Sequence, residues 1–413
     1  MSRSPSLDGL TIPRAPHDPR RRLVLRAALA GGVASAASLA FAATARSGER
    51  RFVLVILRGG MDGLSAVPAI GDPEYAAVRG PLAQFAAPAL PLDATFALHP
   101  ALAALQSMYG AGELAVVHAV GLPYRERSHF DAQQVLESGG VKPYEITTGW
   151  LGRALGDTHG RGIALSTAVP LVLRSAADVD TWAPSTLPDP SADLVARLER
   201  LYADDPALAM ALKRAKALHL EGGMGAAGAA PMDAMAGGPA PRGAFVVLAQ
   251  RAAEFLSQPS GPDVAVLELG GWDTHANQAN VNGPLVFALR QLDAGLAALR
   301  AGLVAGDAWK RTVVVVATEF GREVAVNGTL GTDHGTGGAA FVLGGAVKGG
   351  RVIADWPGLA KRDRYEGRDL RATIDLRAVL KGALADHLQI ARAQIERDVF
   401  PGSDGVRPLS LLA

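Results

Sequence analysis

Four uninterrupted apolar runs divide the chain, and each is typical of a strand buried in a parallel sheet. They are Phe52–Leu57, Leu114–Val120, Val264–Leu269 and Thr312–Thr318, with Ala339–Leu343 as a fifth candidate. Helical periodicity is found between these runs and after them, at Asp131–Glu137, Leu285–Leu303 and Leu376–Leu388. Strands that alternate with helices predict an α/β fold, with a doubly wound, mostly parallel sheet and helices on both faces.

The first 45 residues have the pattern of an export signal. Arg20–Arg22 precede the uncharged segment Ala27–Ala45, and Ala43–Ala45 is typical of a signal-peptidase site. Paired arginines followed by Val24, Leu25 and Arg26 match the twin-arginine (Tat) variant. We therefore expect the Tat translocase as a partner during export, cleavage near Ala45 and a periplasmic or otherwise exported protein. A membrane anchor is the alternative, disfavoured because Ala and Gly contribute little apolar area.

Composition limits what the remaining chain does. Residues 46–413 are expected to form a single α/β domain, with a flexible low-complexity insert at about residues 222–241. The absence of cysteine excludes thiolate zinc sites, iron–sulfur clusters and cysteine nucleophiles. Without the first 45 residues there are 35 basic and 38 acidic side chains, a formal net charge of −3. This charge provides no electrostatic basis for nucleic-acid binding.

Acidic and imidazole side chains follow the predicted strands directly. They are Asp62, Asp273, His275 and Glu319. Because the carboxyl ends of parallel strands share one edge of a sheet, where ligands bind, we expect these side chains to converge. Asp333 and His334, in the Gly/Thr-rich loop 331–338, offer the same ligand types. A sulfur-free set of this kind suits zinc, manganese or magnesium, so we expect a divalent metal in a hydrolytic site.

Each of these residues also has a structural interpretation. Asp62, which is flanked by glycines, can cap a helix or shape a turn. Asp273 can fix the loop after its strand, and Glu319 can form an ion pair with Arg322. The shared position at strand ends favours a common site over these separate interpretations.

The segment after the second strand holds further candidates for chemistry. Ser128 and His129 precede a predicted helix, whose N-terminus favours anions, and we predict them as catalytic residues. Arg125 and Arg127 are predicted to bind phosphate or sulfate oxygens of a substrate. The alternative is that Ser128 caps the helix, with Asp131 completing a weak capping box.

Five motifs together resemble a bacterial family of exported proteins, the domain of unknown function 1501. They are RGGMDGLS at Arg58–Ser65, SHFDAQ at Ser128–Gln133, GWDTH at Gly271–His275, TEFGR at Thr318–Arg322 and GTDHG at Gly331–Gly335. The resemblance runs from about Arg51 to the C-terminus. The family is in turn remotely similar to the alkaline phosphatase and sulfatase superfamily.

That remote similarity implies an alkaline-phosphatase-like fold and a role for several positions. Asp62 matches a metal-binding aspartate, and Ser128 or His129 falls at the nucleophile position. Asp273 with His275 resembles a metal-binding pair, and His334 resembles a final histidine ligand. Phe320 stands where the superfamily has a histidine, so a second metal site would lose a ligand.

Two functions from different classes follow. The first is an exported metal-dependent hydrolase, possessing a phosphatase- or sulfatase-like site for a phosphate or sulfate ester or a related anionic group. The alternative is a non-catalytic periplasmic protein on the same fold that binds a ligand or assists envelope assembly, with a degenerate site.

Overall fold

The computed structural model describes residues 50–156, 160–175, 178–185, 189–221 and 243–412. The predicted export signal and the predicted insert at about 222–241 both lie outside the described residues, so they stay predictions, as do the domain boundaries. Within the described ranges, no helix has the length and apolar character needed to cross a membrane.

One large sheet of nine strands forms the centre of the molecule. The strands along the chain are β1 (Arg51–Leu57), β2 (Leu90–Pro91), β3 (Ala97–Leu98), β4 (Leu114–Gly121), β5 (Arg161–Ala164), β6 (Asp178–Thr181), β7 (Val264–Leu269), β8 (Thr312–Thr318), β9 (Gly338–Leu343), β10 (Arg351–Ile353) and β11 (Ile374–Asp375). The order in the large sheet is β10-β4-β9-β8-β1-β7-β5-β6, and β11 pairs with β4. β2 and β3 form a separate ribbon.

Eleven α-helices alternate with these strands or lie between them in the described part of the chain. They are α1 (Gly63–Ala66), α2 (Tyr75–Arg79), α3 (Ala103–Gly110), α4 (His129–Ser138), α5 (Trp150–Gly156), α6 (Ala192–Leu201), α7 (Pro206–Glu221), α8 (Ala244–Ser257), α9 (Pro284–Ala305), α10 (Leu376–Gly382) and α11 (Arg392–Gln394). The helix predicted at Leu376–Leu388 ends earlier as an α-helix, because π-helical geometry continues from it over Ala383–His387.

The predicted α/β fold is confirmed, and the sheet is mixed but mostly parallel. β1 is parallel to β7 and β8, whereas β9 is antiparallel to both β4 and β8. Along β1, Val53, Val55 and Leu57 belong to one apolar core, and the alternating residues Phe52, Leu54 and Ile56 belong to another. Burial on both faces explains why the central strands are continuously apolar.

The register of the central strands positions the loops that follow them. Leu57, at the end of β1, pairs with Leu269 of β7 and with Thr318 of β8. The three loops that follow therefore leave the sheet at one level of the same edge. The residues predicted to bind a metal after β7 and β8 follow the strands at this edge.

Candidate metal centre

Three side chains from distant parts of the chain converge at this edge. His129 begins α4, Asp273 follows β7, and His334 lies in the loop before β9. His129 Nε2 lies 3.0 Å from His334 Nε2 and 3.5 Å from Asp273 Oδ1. His334 Nε2 lies 3.2 Å from Asp273 Oδ1. These three residues form a group that can hold a metal ion.

A fourth side chain extends the group. His275 Nε2 lies 2.9 Å from Asp273 Oδ1 and 3.0 Å from His334 Nε2. Asp273 and His275 are two positions apart after β7, and both reach the same point. We refer to His129, Asp273, His275 and His334 as the imidazole cluster.

The other ring nitrogen of each histidine in the cluster faces a hydrogen-bond acceptor. His129 Nδ1 lies 2.8 Å from Glu319 Oε1, and His275 Nδ1 lies 3.0 Å from Asp333 Oδ1. His334 Nδ1 lies 3.0 Å from the backbone oxygen of Arg127. Because a carbonyl or an ionised carboxylate only accepts, each Nδ1 carries the proton. In a neutral imidazole the Nε2 lone pair then faces the centre of the cluster.

The spacing of the ligand atoms of His129, Asp273 and His334 fits a bound cation, and His275 Nε2 lies beside two of the three. The three separations within this group are 3.0, 3.2 and 3.5 Å. A tetrahedral zinc ion with bonds of about 2.0–2.2 Å would hold its ligand atoms about 3.3 Å apart. Two imidazole nitrogens and a carboxylate oxygen at such distances need a positive charge, either a proton or a metal ion, between them. The donor set therefore fits a divalent ion.

The pKa values in the cluster also favour positive charge at this point. Burial works to lower the pKa of His129, but hydrogen bonds to Asp273 and Glu319 outweigh it and raise the pKa to about 9. Burial works to raise the pKa of Asp273, yet hydrogen bonds from His129, His334 and Arg322 hold that pKa far below its usual range. The carboxylates thus stay ionised and attract a cation.

Glu319 and Asp333, both predicted as metal ligands, lie behind the histidines of the cluster. The buried Glu319 Oε1 also accepts hydrogen bonds from the Gly59 backbone N–H at 2.8 Å and from Gln133 Nε2 at 3.2 Å. Burial alone would raise the pKa of Glu319, but the hydrogen bond from His129 contributes to lowering it. Both carboxylates contact Nδ1 atoms, so they orient the rings.

Asp62 lies in a different environment. It is 1% exposed, caps α1 by accepting from the backbone N–H of Leu64 and Ser65, and is ion-paired with Arg79. Burial works to raise the pKa of Asp62, but Arg79 outweighs it and the pKa is lowered. The helix-cap interpretation of Asp62 is confirmed. Among the described residues, its hydrogen bonds include none to the imidazole cluster.

A chain of buried hydrogen bonds nevertheless connects Asp62 to the cluster. Gln278 donates to Asp62 Oδ2, and its Oε1 accepts from Thr332 Oγ1 at 2.8 Å. Arg322 Nε donates to Thr332 Oγ1 at 3.3 Å, and Nη1 donates to Asp273 Oδ1 at 2.7 Å. Arg322 therefore pairs with Asp273, and its expected alternative pairing with Glu319 is absent among the described contacts.

Sequence reasoning missed Gln278, Arg79 and the role of Arg322. Arg322 is buried and holds a cluster carboxylate from behind. The TEFGR motif contained the signal, since it places an arginine four positions after a buried strand, and a charge that becomes buried needs a partner. Gln133 was also missed, although it lies four positions after His129 and thus on the same face of α4.

The predicted catalytic and anion-binding residues lie in the segment that leads into α4 and at its first residue. Ser128 occupies the N-cap position of α4, but its side chain makes no capping hydrogen bond, contrary to the alternative considered above. Arg127 is ion-paired with Glu366 at 2.6 Å and with Asp369 at 2.8 Å. Arg125 has a buried Nη1 without a hydrogen-bond partner in the described part of the chain.

Phe320 packs beside the cluster. It is buried, and its ring centroid lies 4.6 Å from that of His129 and 5.1 Å from that of His334. An apolar ring therefore packs against two imidazole rings of the cluster.

The fold and site define an α/β protein with a His/Asp/His group, able to hold a metal ion, at the edge of a mostly parallel sheet. The sequence matches the family described as Protein of unknown function (DUF1501) over residues 49–391, and the chain belongs to that family. Among curated proteins, no match to the chain is found.

Several solved structures are similar to this chain in fold. A protein in the alkaline phosphatase superfamily from Vibrio parahaemolyticus is 11% identical, with a TM-score of 0.41 over 82% of this chain and 66% of that chain. A putative sulfatase from Bacteroides thetaiotaomicron is 10% identical, with a TM-score of 0.42 over 87% and 74%. The phosphonate monoester hydrolase of Agrobacterium radiobacter is 10% identical, with a TM-score of 0.41 over 83% and 74%.

Proposed function

We propose that the protein is a hydrolase with one divalent metal ion that acts on a phosphate or sulfate ester or a related anionic group. The observation that supports this proposal is the convergence of His129, Asp273 and His334, with His275 Nε2 beside Asp273 and His334 and with every Nδ1 facing an acceptor. Zinc is the ion that best suits a set of imidazole and carboxylate ligands, ahead of manganese and magnesium.

Each cluster residue has a positioning partner in this proposal. His129, Asp273, His275 and His334 would hold the ion. Glu319, Asp333 and the Arg127 carbonyl orient the three rings, and Arg322 orients Asp273. Once bound, the ion would polarise an ester oxygen and lower the pKa of water.

The arginine that remains suited to an anionic group is Arg125. Arg127 is compensated by Glu366 and Asp369, whereas Arg125 has an unpartnered Nη1 among the described residues. Ser128 and His129 stay candidates for catalysis, with His129 also in the metal-binding group. Asp62 is compensated by Arg79, so one ion is proposed and not two.

Metal content and activity test this proposal. We expect purified protein to hold about one divalent ion per chain, and to hydrolyse an aryl phosphate, sulfate or phosphonate ester. Treatment with a chelator should abolish hydrolysis, and zinc or manganese should restore it. If reconstituted protein binds no divalent ion, the proposal fails.

A non-catalytic binding protein is the second candidate. The observation that favours it is the compensation of Asp62 and Arg127 within the fold, which removes two of the polar groups that a two-metal hydrolase would use. Stoichiometric metal without turnover of any of the three ester classes would support this candidate over the hydrolase.

We also propose that the protein is exported through the Tat translocase to the periplasm, or otherwise out of the cytoplasm. The twin-arginine pattern and the Ala43–Ala45 site support this proposal. Cell fractionation combined with sequencing of the mature N-terminus tests it. Replacing Arg20–Arg22 with lysines should retain the protein in the cytoplasm, whereas a mature N-terminus far from residue 46 would contradict the cleavage site.

A further inference from the structure

We infer that a cleft beside α4 binds an uncharged, hydroxyl-bearing ring of the substrate, with the chemistry of a neutral sugar. This inference rests on the proposed function and extends it, because it assigns the part of the substrate that is not the anionic group. The cleft has a volume of about 360 Å³ and lies between α4 and the segment 165–171. We call it the α4 cleft.

The α4 cleft adjoins the imidazole cluster through α4 itself. Phe130, which lines the cleft, directly follows His129. Gln133 also lines the cleft. It donates to Glu319 Oε1, the same oxygen that accepts the hydrogen bond from His129 Nδ1. A substrate with its anionic group at the cluster would therefore extend its remaining part into this cleft.

One wall of the α4 cleft presents an exposed aromatic ring. Phe130 is 79% exposed, although a phenyl ring gains free energy by burial. Leu165, Val169 and Leu171 add apolar surface to the lining of the cleft. A ligand with an apolar face would cover Phe130 and contact this wall.

The base of the α4 cleft carries two carboxylates around one guanidinium. Arg58 Nη1 lies 2.8 Å from Glu137 Oε1, and Arg58 Nη2 lies 2.6 Å from Glu268 Oε1. One guanidinium and two carboxylates together carry a formal net charge of −1. Both carboxylates are largely buried. Such a base repels an anionic ring and accepts hydrogen bonds from hydroxyl groups.

The remaining polar groups of the lining fit the same ligand. The side chains of Gln133, Gln134, Ser166 and Thr167 both donate and accept, as a polyhydroxylated ring requires. Arg174 is the second arginine in the lining; it is exposed and donates from Nε to the Val169 carbonyl at 3.1 Å. Because water screens an exposed charge, Arg174 does not reverse the charge of the base.

Ligand binding tests this inference separately from metal binding. The probes are methyl β-D-glucopyranoside, methyl β-D-glucuronide with the same ring and a carboxylate, and cyclohexanol with one hydroxyl. Saturation-transfer NMR on the full-length protein should show that the glucoside binds and that the other two bind more weakly. The glucoside should bind equally well after chelator treatment, since the metal would lie outside the cleft.

A pair of variants assigns the binding to the α4 cleft. Phe130→Ala removes an exposed side chain, so it should keep the fold and the metal content but weaken glucoside binding about fivefold. Tyr144→Ala removes another exposed ring, outside the cleft lining, and should leave binding unchanged.

The outcomes separate the inference from the proposed function. Unchanged glucoside binding by Phe130→Ala, preference for the glucuronide or cyclohexanol, or no binding of the glucoside would each overturn the inference. Glucoside binding that depends on Phe130 in a protein without metal or hydrolysis would keep the cleft assignment and reject the hydrolase.

Discussion

Two acidic sites at the same sheet edge have opposite electrostatic designs. In the imidazole cluster, Asp273 faces three Nε2 atoms whose rings are all oriented from behind. At α1, Asp62 faces Arg79, Ser65 and Gln278, all of which donate to it. The cluster brings imidazole nitrogens and a carboxylate oxygen together, whereas at α1 the donors of neighbouring side chains satisfy the carboxylate of Asp62.

This difference shows when a carboxylate at a strand end is available to a metal ion. Arg79 is fully buried and supplies the positive charge that an ion would otherwise provide to Asp62. Asp273 also has an arginine, Arg322, but its Oδ1 additionally faces three imidazoles. The convergence of imidazole nitrogens on the carboxylate, and not the carboxylate alone, distinguishes the candidate metal site.

The largest effect is expected when one residue of the imidazole cluster is substituted and compared with a substitution at the α1 site. His334→Ala removes the nitrogen that contacts the other three ligand atoms, so the affinity for zinc should fall by more than the ~10–100-fold typical of a change behind a ligand. Asp62→Asn should retain about one ion per chain. Mass-spectrometric metal analysis and zinc titration calorimetry measure both. Loss of the ion in Asp62→Asn, with retention in His334→Ala, would reverse the comparison.

The buried pair at α1 should govern stability and not metal content. Arg79→Met leaves the Asp62 charge buried without compensation, which should lower the free energy of unfolding by about 3–5 kcal/mol. Denaturant titration measures this effect. Arg197→Met breaks the exposed Arg197–Asp193 pair on α6 and should cost less than about 1 kcal/mol. Equal effects of the two variants would show that burial of the pair is unimportant.

Buried histidines outside the cluster, among them His118 and His387, should make the fold sensitive to acid. Burial lowers the pKa of His118, which contacts the Val67 backbone oxygen, and that of His387 to about 4. The unfolded chain takes up these protons first, at about pH 6.5, so stability is complete above that pH and falls toward pH 4. At pH 5 we expect a loss of about 2 kcal/mol per histidine.

The acid effect is measured by denaturant titration at pH 7 and pH 5 with a chelator present throughout. In His387→Gln, the amide can keep a hydrogen bond to the Arg51 backbone oxygen without titrating, so this variant should lose less stability between the two pH values than the unmodified protein. An identical loss in both proteins would exclude His387 as a source of the acid sensitivity.

The smallest effect is expected behind the metal ligands. Glu319→Gln keeps the shape but weakens the acceptor for His129 Nδ1, so zinc affinity should fall about tenfold. Asp333→Asn should have a smaller effect, because the Asp333 side chain is 49% exposed and water can replace it. Zinc titrations of both variants and of the surface control Glu254→Gln measure these effects. A greater loss in Asp333→Asn than in Glu319→Gln would contradict the assigned order.

Much of the fold was predictable because burial on both faces leaves a continuous apolar run. β1, β4, β7, β8 and β9 were all predicted, since each is buried along its length. β6, with the sequence DVDT, and the short β10 and β11 have no such run. Nor could apolar content reveal that β9 is antiparallel, because the direction of a strand depends on its partners.

The sequence by itself determined the α/β class and the placement of acids and histidines after strand ends. Only the tertiary structure decided which of them converge, because one side chain can be a ligand, an orienting acceptor or half of an ion pair. Glu319 became an orienting acceptor since His129 offers it Nδ1, and Asp62 became half of an ion pair since α2 brings Arg79 to it. These outcomes depend on contacts between residues far apart in the chain, which local pattern does not encode.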